Sequence, residues 1–266
     1  MNWKATMDHT YWRKQSRDEP VFPDILWSRP ENTTAAGKLA VIGGHAHAFG
    51  APGIAYGEAL SSGVGVCNVL MPDSVKKTVK HVLPDADFGP SNRSGSFAKN
   101  ALASLIDISN WADGVCLAGD LGRNSETAML LESYVQAYSG LLTITQDAAD
   151  YFQKTPKLVL ERPDTLLVVS LAQLQKIFIY TPLITPITYG MTVHQLVEAL
   201  HDITTKFEAC IVVKHHDAVF VAKNGQIVST EHTEQTWRIK TAGRASVFWL
   251  QNPSKQFEAV VSSLIS

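Results

Sequence analysis

From Lys38 onward the chain alternates short, wholly apolar runs with longer segments of helical periodicity. This alternation constrains the fold more than any other feature. Residues 39–42, 64–70, 114–117, 141–145, 166–169 and 210–213 read as strands. Most are apolar at consecutive positions, not at every second one, as a parallel sheet covered by helices on both faces requires. Between them, residues 52–62, 74–81, 97–108, 125–138 and 192–207 read as helices. In the last of these Val193, Leu196, Val197, Leu200, Ile203 and Phe207 recur at helical spacing, and Thr192 with Gln195 makes a capping box. Such a pattern implies a three-layer α/β/α sandwich with a mostly parallel central sheet. Near the end, residues 218–222 and 226–229 flank Lys223-Asn224-Gly225, which predicts an antiparallel hairpin at the edge of that sheet. Residues 254–265 read as a closing helix.

No linker or internal repeat divides the 266 residues, so residues 36–266 read as one domain. Residues 1–35 read as an N-terminal arm carrying Trp3, Tyr11, Trp12, Phe22 and Trp27. Several such side chains left bare would form an unusual apolar patch. The arm is therefore expected to pack on the domain or on a neighbouring subunit, which makes a homo-oligomer the expected state. Lys and Arg number 23 and Asp and Glu 25, for a net charge of -2; no basic face for nucleic acid is expected. No apolar run approaches the roughly 18 residues of a membrane span, and the polar N-terminus lacks the apolar segment of a signal peptide. Cys67, Cys116 and Cys210 are odd in number, far apart and set in apolar runs, which predicts buried free thiols. A cytoplasmic protein follows from these readings.

Three segments carry candidate chemistry. Residues 41–60 read as a strand, a glycine-rich turn and a helix opened near Pro52. Gly44 and Gly50 would let backbone N–H groups approach an anion, beside a favourable helix dipole. No Lys-Ser/Thr follows Gly50, so the turn is not a P-loop. The plain alternative is a tight strand–helix connection. Residues 111–127 repeat the logic through Gly119-Asp120-Leu121-Gly122, and ligands of open α/β sheets bind beyond the carboxyl ends of the strands. Arg123 reads equally as a phosphate contact or a solvated first-turn residue. In the third segment Lys214 emerges from a buried strand, followed by His215, His216 and Asp217. Consecutive residues of an extended chain point to opposite faces, so these three make no metal site. His45 and His47 lack a carboxylate partner, and no metal is expected there either. No signature of a hydrolase nucleophile is present.

The order of these segments resembles the ribokinase-like NAD(P)H-hydrate dehydratase family. KLAVIGG followed by GAPGIAYGEALSSGVG is similar to that family's glycine turn, Gly-Ala-Pro and helix. ADGVCLAGDLGR resembles its acidic strand and glycine loop, TITQDAADYF the strand and turn that carry an Asp, and ACIVVKHHDAVFVAKNG the strand, Lys and hairpin of its nucleotide site. The resemblance implies ATP- or ADP-dependent dehydration of hydrated NADH or NADPH, with Mg2+ accompanying the nucleotide. It implies a substrate site at Gly44, Gly50, Ala51, Gly119, Asp120, Gly122 and Asp147. A nucleotide site is implied at Lys214, His215, His216, Asp217, Ala218, Gly243, Arg244 and Ala245.

The departures bear on catalysis. Where the family reads GGTGD, this chain reads Ala242-Gly243-Arg244-Ala245-Ser246, so Ser246 stands at the catalytic Asp. A serine without a partner is no carboxylate base, and Arg244 and Ala245 replace residues of the anion-stabilising loop. Three functions stay open: a nucleotide-binding protein with lost or reduced catalysis, an active dehydratase or small-molecule kinase using Asp120 or Asp147 as a displaced base, and a structural oligomer with a vestigial pocket.

Overall fold

A computed structural model describes residues 10–181 and 186–266. Trp3 lies outside the described residues. The first half comprises β1 (Trp12–Gln15), α1 (Pro23–Trp27), β2 (Lys38–Gly43), α2 (Gly50–Ser61), β3 (Val66–Pro72), α3 (Lys76–Val79), β4 (Asp87–Gly89), α4 (Leu102–Trp111), β5 (Gly114–Gly119) and α5 (Ser125–Ala137). The second comprises β6 (Leu141–Thr145), α6 (Lys157–Leu160), β7 (Thr165–Ser170), α7 (Leu171–Phe178), α8 (Val193–Lys206), β8 (Cys210–His215), β9 (Ala218–Lys223), β10 (Gln226–Glu231), α9 (Trp237–Gln251) and α10 (Gln256–Ser263).

Among the described residues ten strands form one sheet in the order β1-β10-β9-β8-β7-β6-β5-β2-β3-β4. The run from β8 to β4 is parallel, and β9 pairs antiparallel with both β8 and β10. Strand sides alternate, so each face seals its own core. Ile42, Leu117, Ile144 and Leu167 pack under α4, α5, α7 and α8; Val41, Cys116, Val168 and Val212 pack under α1, α2, α9 and α10. The expected sandwich and its edge hairpin are present, with Asn224 and Gly225 both at positive φ (50° and 73°) as a two-residue hairpin turn demands.

Several elements differ from expectation. The helix expected over 74–81 is a 3-10 turn, Asp73–Val75, and a single α turn. The one expected over 97–108 starts at Leu102, because Ala98 is extended and Phe97 is buried beside the β4 loop. Helix α7 was not foreseen, although Ser170 and Gln173 spell its capping box. The arm, for its part, lies on the domain: β1 adds to the sheet in parallel with β10, Trp12↔Ile227 through Gln15↔Thr230. Buried Gln15 anchors it, its Nε2 donating to Thr230 Oγ1 (2.9 Å) and to the Val261 carbonyl (2.8 Å). Trp12 Nε1 donates to Ser229 Oγ (3.0 Å), Tyr11 stacks on His201, and Phe22 meets Phe257 edge-on. Of the arm's described aromatics only Trp27 stands bare, at 87% exposure. Among the described residues, the aromatics that argued for self-association are thus mostly covered within the chain.

Candidate functional site

Strands β2, β5, β6, β7, β8 and β10 end at one rim of the sheet, and the predicted site residues divide along it. At one end the two glycine turns meet: Gly44 N donates to the Gly119 carbonyl (2.9 Å). Gly119 (φ 95°) admits no side chain, since a Cβ would lie 2.5 Å from that of Gln146 and 2.7 Å from Asp147 Oδ1. Asp120 and Gln146 follow at φ 55° and 53°. A glutamine rarely adopts this conformation; here Gln173 Nε2 holds the Gln146 carbonyl at 2.6 Å.

Both anion cradles are filled by carboxylates of this chain. Ala51 N, in the first turn of α2, donates to Asp120 Oδ2 (2.7 Å), and Leu121 N donates to Asp147 Oδ2 (3.0 Å). Burial, then the Asp120 charge, push the Asp147 carboxyl above its ordinary value, against backbone N–H bonds from Leu121, Asp120 and Gly122. Its Oδ1 is buried and has no hydrogen-bond partner. A cavity of about 410 Å³ opens here between Gly122, Arg123, Asp147, Asp150, Tyr151 and Lys176. Gly50 is exposed at the mouth of the turn. Tyr151 Oη ties the loop by donating to the Gly122 carbonyl (2.6 Å).

At the other end lies a cavity of about 820 Å³ whose walls include Lys14, Arg17, Ala218, His232, Glu234 and Arg244. The two cavities share no lining residue. Lys214 reaches this rim, its Nζ donating to the Glu234 carbonyl (3.1 Å). His215 points away: its ring is buried and bonds the Met191 carbonyl through Nε2 (2.9 Å). His216 (φ 51°) and Asp217 form the turn into β9, and the Asp217 carbonyl accepts from His232 N (2.8 Å).

The segment expected to form the anion loop is instead the interior of a helix. Gly243, Arg244, Ala245 and Ser246 lie midway along α9, where their backbone N–H groups are bonded within the helix. Gly243 is the crossing point with α2: a Cβ there would lie 2.8 Å from the Ala55 carbonyl and 3.1 Å from Glu58 Cβ. Ala245 is fully buried. Ser246 is buried too; its Oγ donates to the Ala242 carbonyl (2.7 Å) and lies 2.8 Å from Thr143 Oγ1. Arg244 alone of the four turns outward, pairing with Glu58 Oε2 at 3.2 Å and lining the larger cavity.

Five polar residues at the rim escaped the sequence reading. Gln173 accepts from Arg238 Nη1 (2.7 Å) and donates to Asp150 Oδ1 (3.1 Å), bridging α9 to the 3-10 turn after β6. His232, Glu234 and Lys240 cluster beside Arg244. The capping box at Ser170 would have placed Gln173; nothing local marks the others, which meet only because α9 begins early. Among the described residues no three His, Cys, Asp or Glu side chains are arranged to hold a metal ion, and no helix is long and apolar enough to cross a membrane.

Together, sheet order, edge hairpin and flanking helices define a ribokinase-like α/β fold. A ribokinase-like superfamily protein from Enterococcus faecalis superposes with a TM-score of 0.73 at 18% identity, over 96% of this chain and 86% of that one. A hypothetical protein from Streptococcus mutans gives 0.70 at 17% identity, over 91% and 85%. The ADP/ATP-dependent NAD(P)H-hydrate dehydratase of Bacillus subtilis, co-crystallised with ATP and Mg2+, gives 0.62 at 13% identity, over 88% and 79%. No protein-family model and no curated protein sequence matches the chain.

Proposed function

We propose that this chain is a nucleotide-binding protein without phosphoryl-transfer chemistry. The larger cavity is its site for ATP, ADP or an NAD(P)H-like dinucleotide. The observation that carries the reading is the cavity itself. It lies at the carboxyl ends of the strands, where α/β sheets bind ligands. Its volume is within the usual range for small-molecule sites, and Lys14, Arg17 and Arg244 face it. The Bacillus subtilis dehydratase, which shares the fold, was crystallised with ATP and Mg2+. Lacking a metal cluster of protein ligands among the described residues, this chain would receive Mg2+ on the phosphates. Bound there, the ion would neutralise phosphate charge.

Loss of catalysis is supported by two features. Ser246 is sealed in the core, and Asp147 lies in a different cavity from Arg244. Phosphoryl transfer requires both reactants in one cleft. The test is twofold. Thermal shift with ATP, ADP, AMP, NAD and NADPH reads binding, since a ligand of the folded state raises apparent stability. An assay with hydrated NADH, Mg2+ and ATP or ADP reads repair through the near-ultraviolet absorbance of NADH. Binding without turnover is expected. Turnover on the order of 1 s⁻¹ would instead favour Asp147, the buried carboxylate with a free oxygen, as a displaced base.

A further inference from the structure

We infer that the phosphates of a ligand in the larger cavity are received by the side chains of His232, Lys240 and Arg244, and that in the free protein Glu234 holds the place beside His232 and Lys240. The inference rests on the reading of that cavity as a nucleotide site. Phosphate sites in α/β proteins commonly use glycine-turn N–H groups, but here Asp120 and Asp147 already occupy both turns. Lys240, Lys214 and the His232 ring gather around one residue. Glu234 Oε1 lies 3.5 Å from Lys240 Nζ, its Oε2 3.8 Å from His232 Nε2, and its carbonyl accepts from Lys214 Nζ at 3.1 Å.

A second carboxylate, Glu58, pairs with Arg244 at 3.2 Å and with Lys240 at 3.9 Å. The two acids differ in setting. Glu58 is wedged between α2 and α9 at 17% side-chain exposure, whereas Glu234 stands at 47% on the outer loop. Nor does Glu234 satisfy its partners: His232 Nε2 is buried without a hydrogen bond. A phosphate offers several strong acceptor oxygens to the same groups.

The test measures tripolyphosphate and ATP binding to the full chain by calorimetry, with Glu234→Gln, Lys240→Met and Glu19→Gln as variants. Removing the competing ion pair should tighten both ligands about fivefold in Glu234→Gln, the span of an exposed ion pair. Lys240→Met should weaken them by a similar factor. Glu19→Gln removes the same charge from the same cavity without touching Lys240, and should change affinity less than twofold. Equal gains in the Glu19 and Glu234 variants would mean that only bulk charge acts, and would overturn the inference. So would ATP binding that Glu234→Gln leaves unchanged, with the nucleotide reading intact. Tripolyphosphate binding tightened in Glu234→Gln without any ATP binding would sustain the phosphate site and sink the nucleotide. Neither ligand binding to either protein would sink both.

Discussion

Position 246 is where residue type and residue environment part company. The resemblance to the dehydratase family would put a catalytic carboxylate there, and the obvious repair would be Ser246→Asp. The structure makes that substitution a burial problem instead. The side chain sits in the core against Thr143 and the neighbouring Cys116, with no cation facing it. A carboxylate there should cost on the order of 3–5 kcal/mol, the usual price of an uncompensated buried charge, and restore no turnover. Urea denaturation checks the first outcome and the hydrate assay the second; a stable variant would show that the site can open to solvent. Gly243→Ala gives a companion test. Alanine favours a helix interior by about 1 kcal/mol over glycine, but its Cβ would press on a backbone carbonyl at 2.8 Å. Overpacking of this kind costs about 1–3 kcal/mol, so the variant should be less stable in net. A gain would show that α2 and α9 can separate freely. Neither position was legible in sequence, because a glycine at a helix crossing and a glycine in an anion loop are spelled alike.

At the scale of elements, legibility followed periodicity. Strands buried on both faces, and α8 with its capping box, declared themselves through apolar runs and the 3.6-residue repeat. The hairpin was legible from Asn224-Gly225, since few dipeptides accept positive φ at both positions. Helix α9 failed that test because it is buried nearly all round, from Ala242 to Leu250, and so shows no apolar stripe. Strand β1 failed because Trp-Arg-Lys-Gln is four residues long, carries one apolar side chain and shows no alternation. Its partner is specified by one buried amide. Gln15→Ala removes donors to Thr230 and to the Val261 carbonyl, and should cost about 1–3 kcal/mol, the value of leaving buried polar groups unmatched. Hydrogen exchange at β10 should quicken in the same variant. Unchanged protection at residues 227–230 would show that β1 is held by its aromatic neighbours alone.

The whole molecule should weaken in mild acid. Burial lowers the affinity of His215 and of His232 for a proton below the ordinary histidine value of 6.5; for His232 the Glu234 carboxylate opposes burial, while Lys214, Arg244 and Lys240 add to it. The folded state thus prefers neutral rings, and the unfolded chain takes up protons first. The stability tied to neutrality is fully present above about pH 6.5 and is lost as pH falls towards the folded-state values. Asp147 has the opposite sign: its raised value favours the protonated carboxyl, so its contribution declines as pH rises from 3.8. Between about pH 7.5 and 6 the histidines should dominate, and the urea midpoint should fall. In His215→Asn the fall should be smaller, and a midpoint that rises on acidification would assign control to the carboxylates.

The sheet is closed at one edge by a strand whose partner lies 215 positions later, Trp12 beside Ile227. On a ribosome adding about 5–20 residues per second, that interval lasts roughly 10–40 s. Throughout it β1 has nothing to pair with, and Tyr11 and Trp12 lie bare on the nascent chain. The first described strand to be made is therefore the last to dock. Its docking is a late checkpoint at which an unfinished chain, lacking β10, is exposed to chaperones and proteases while a finished one is not.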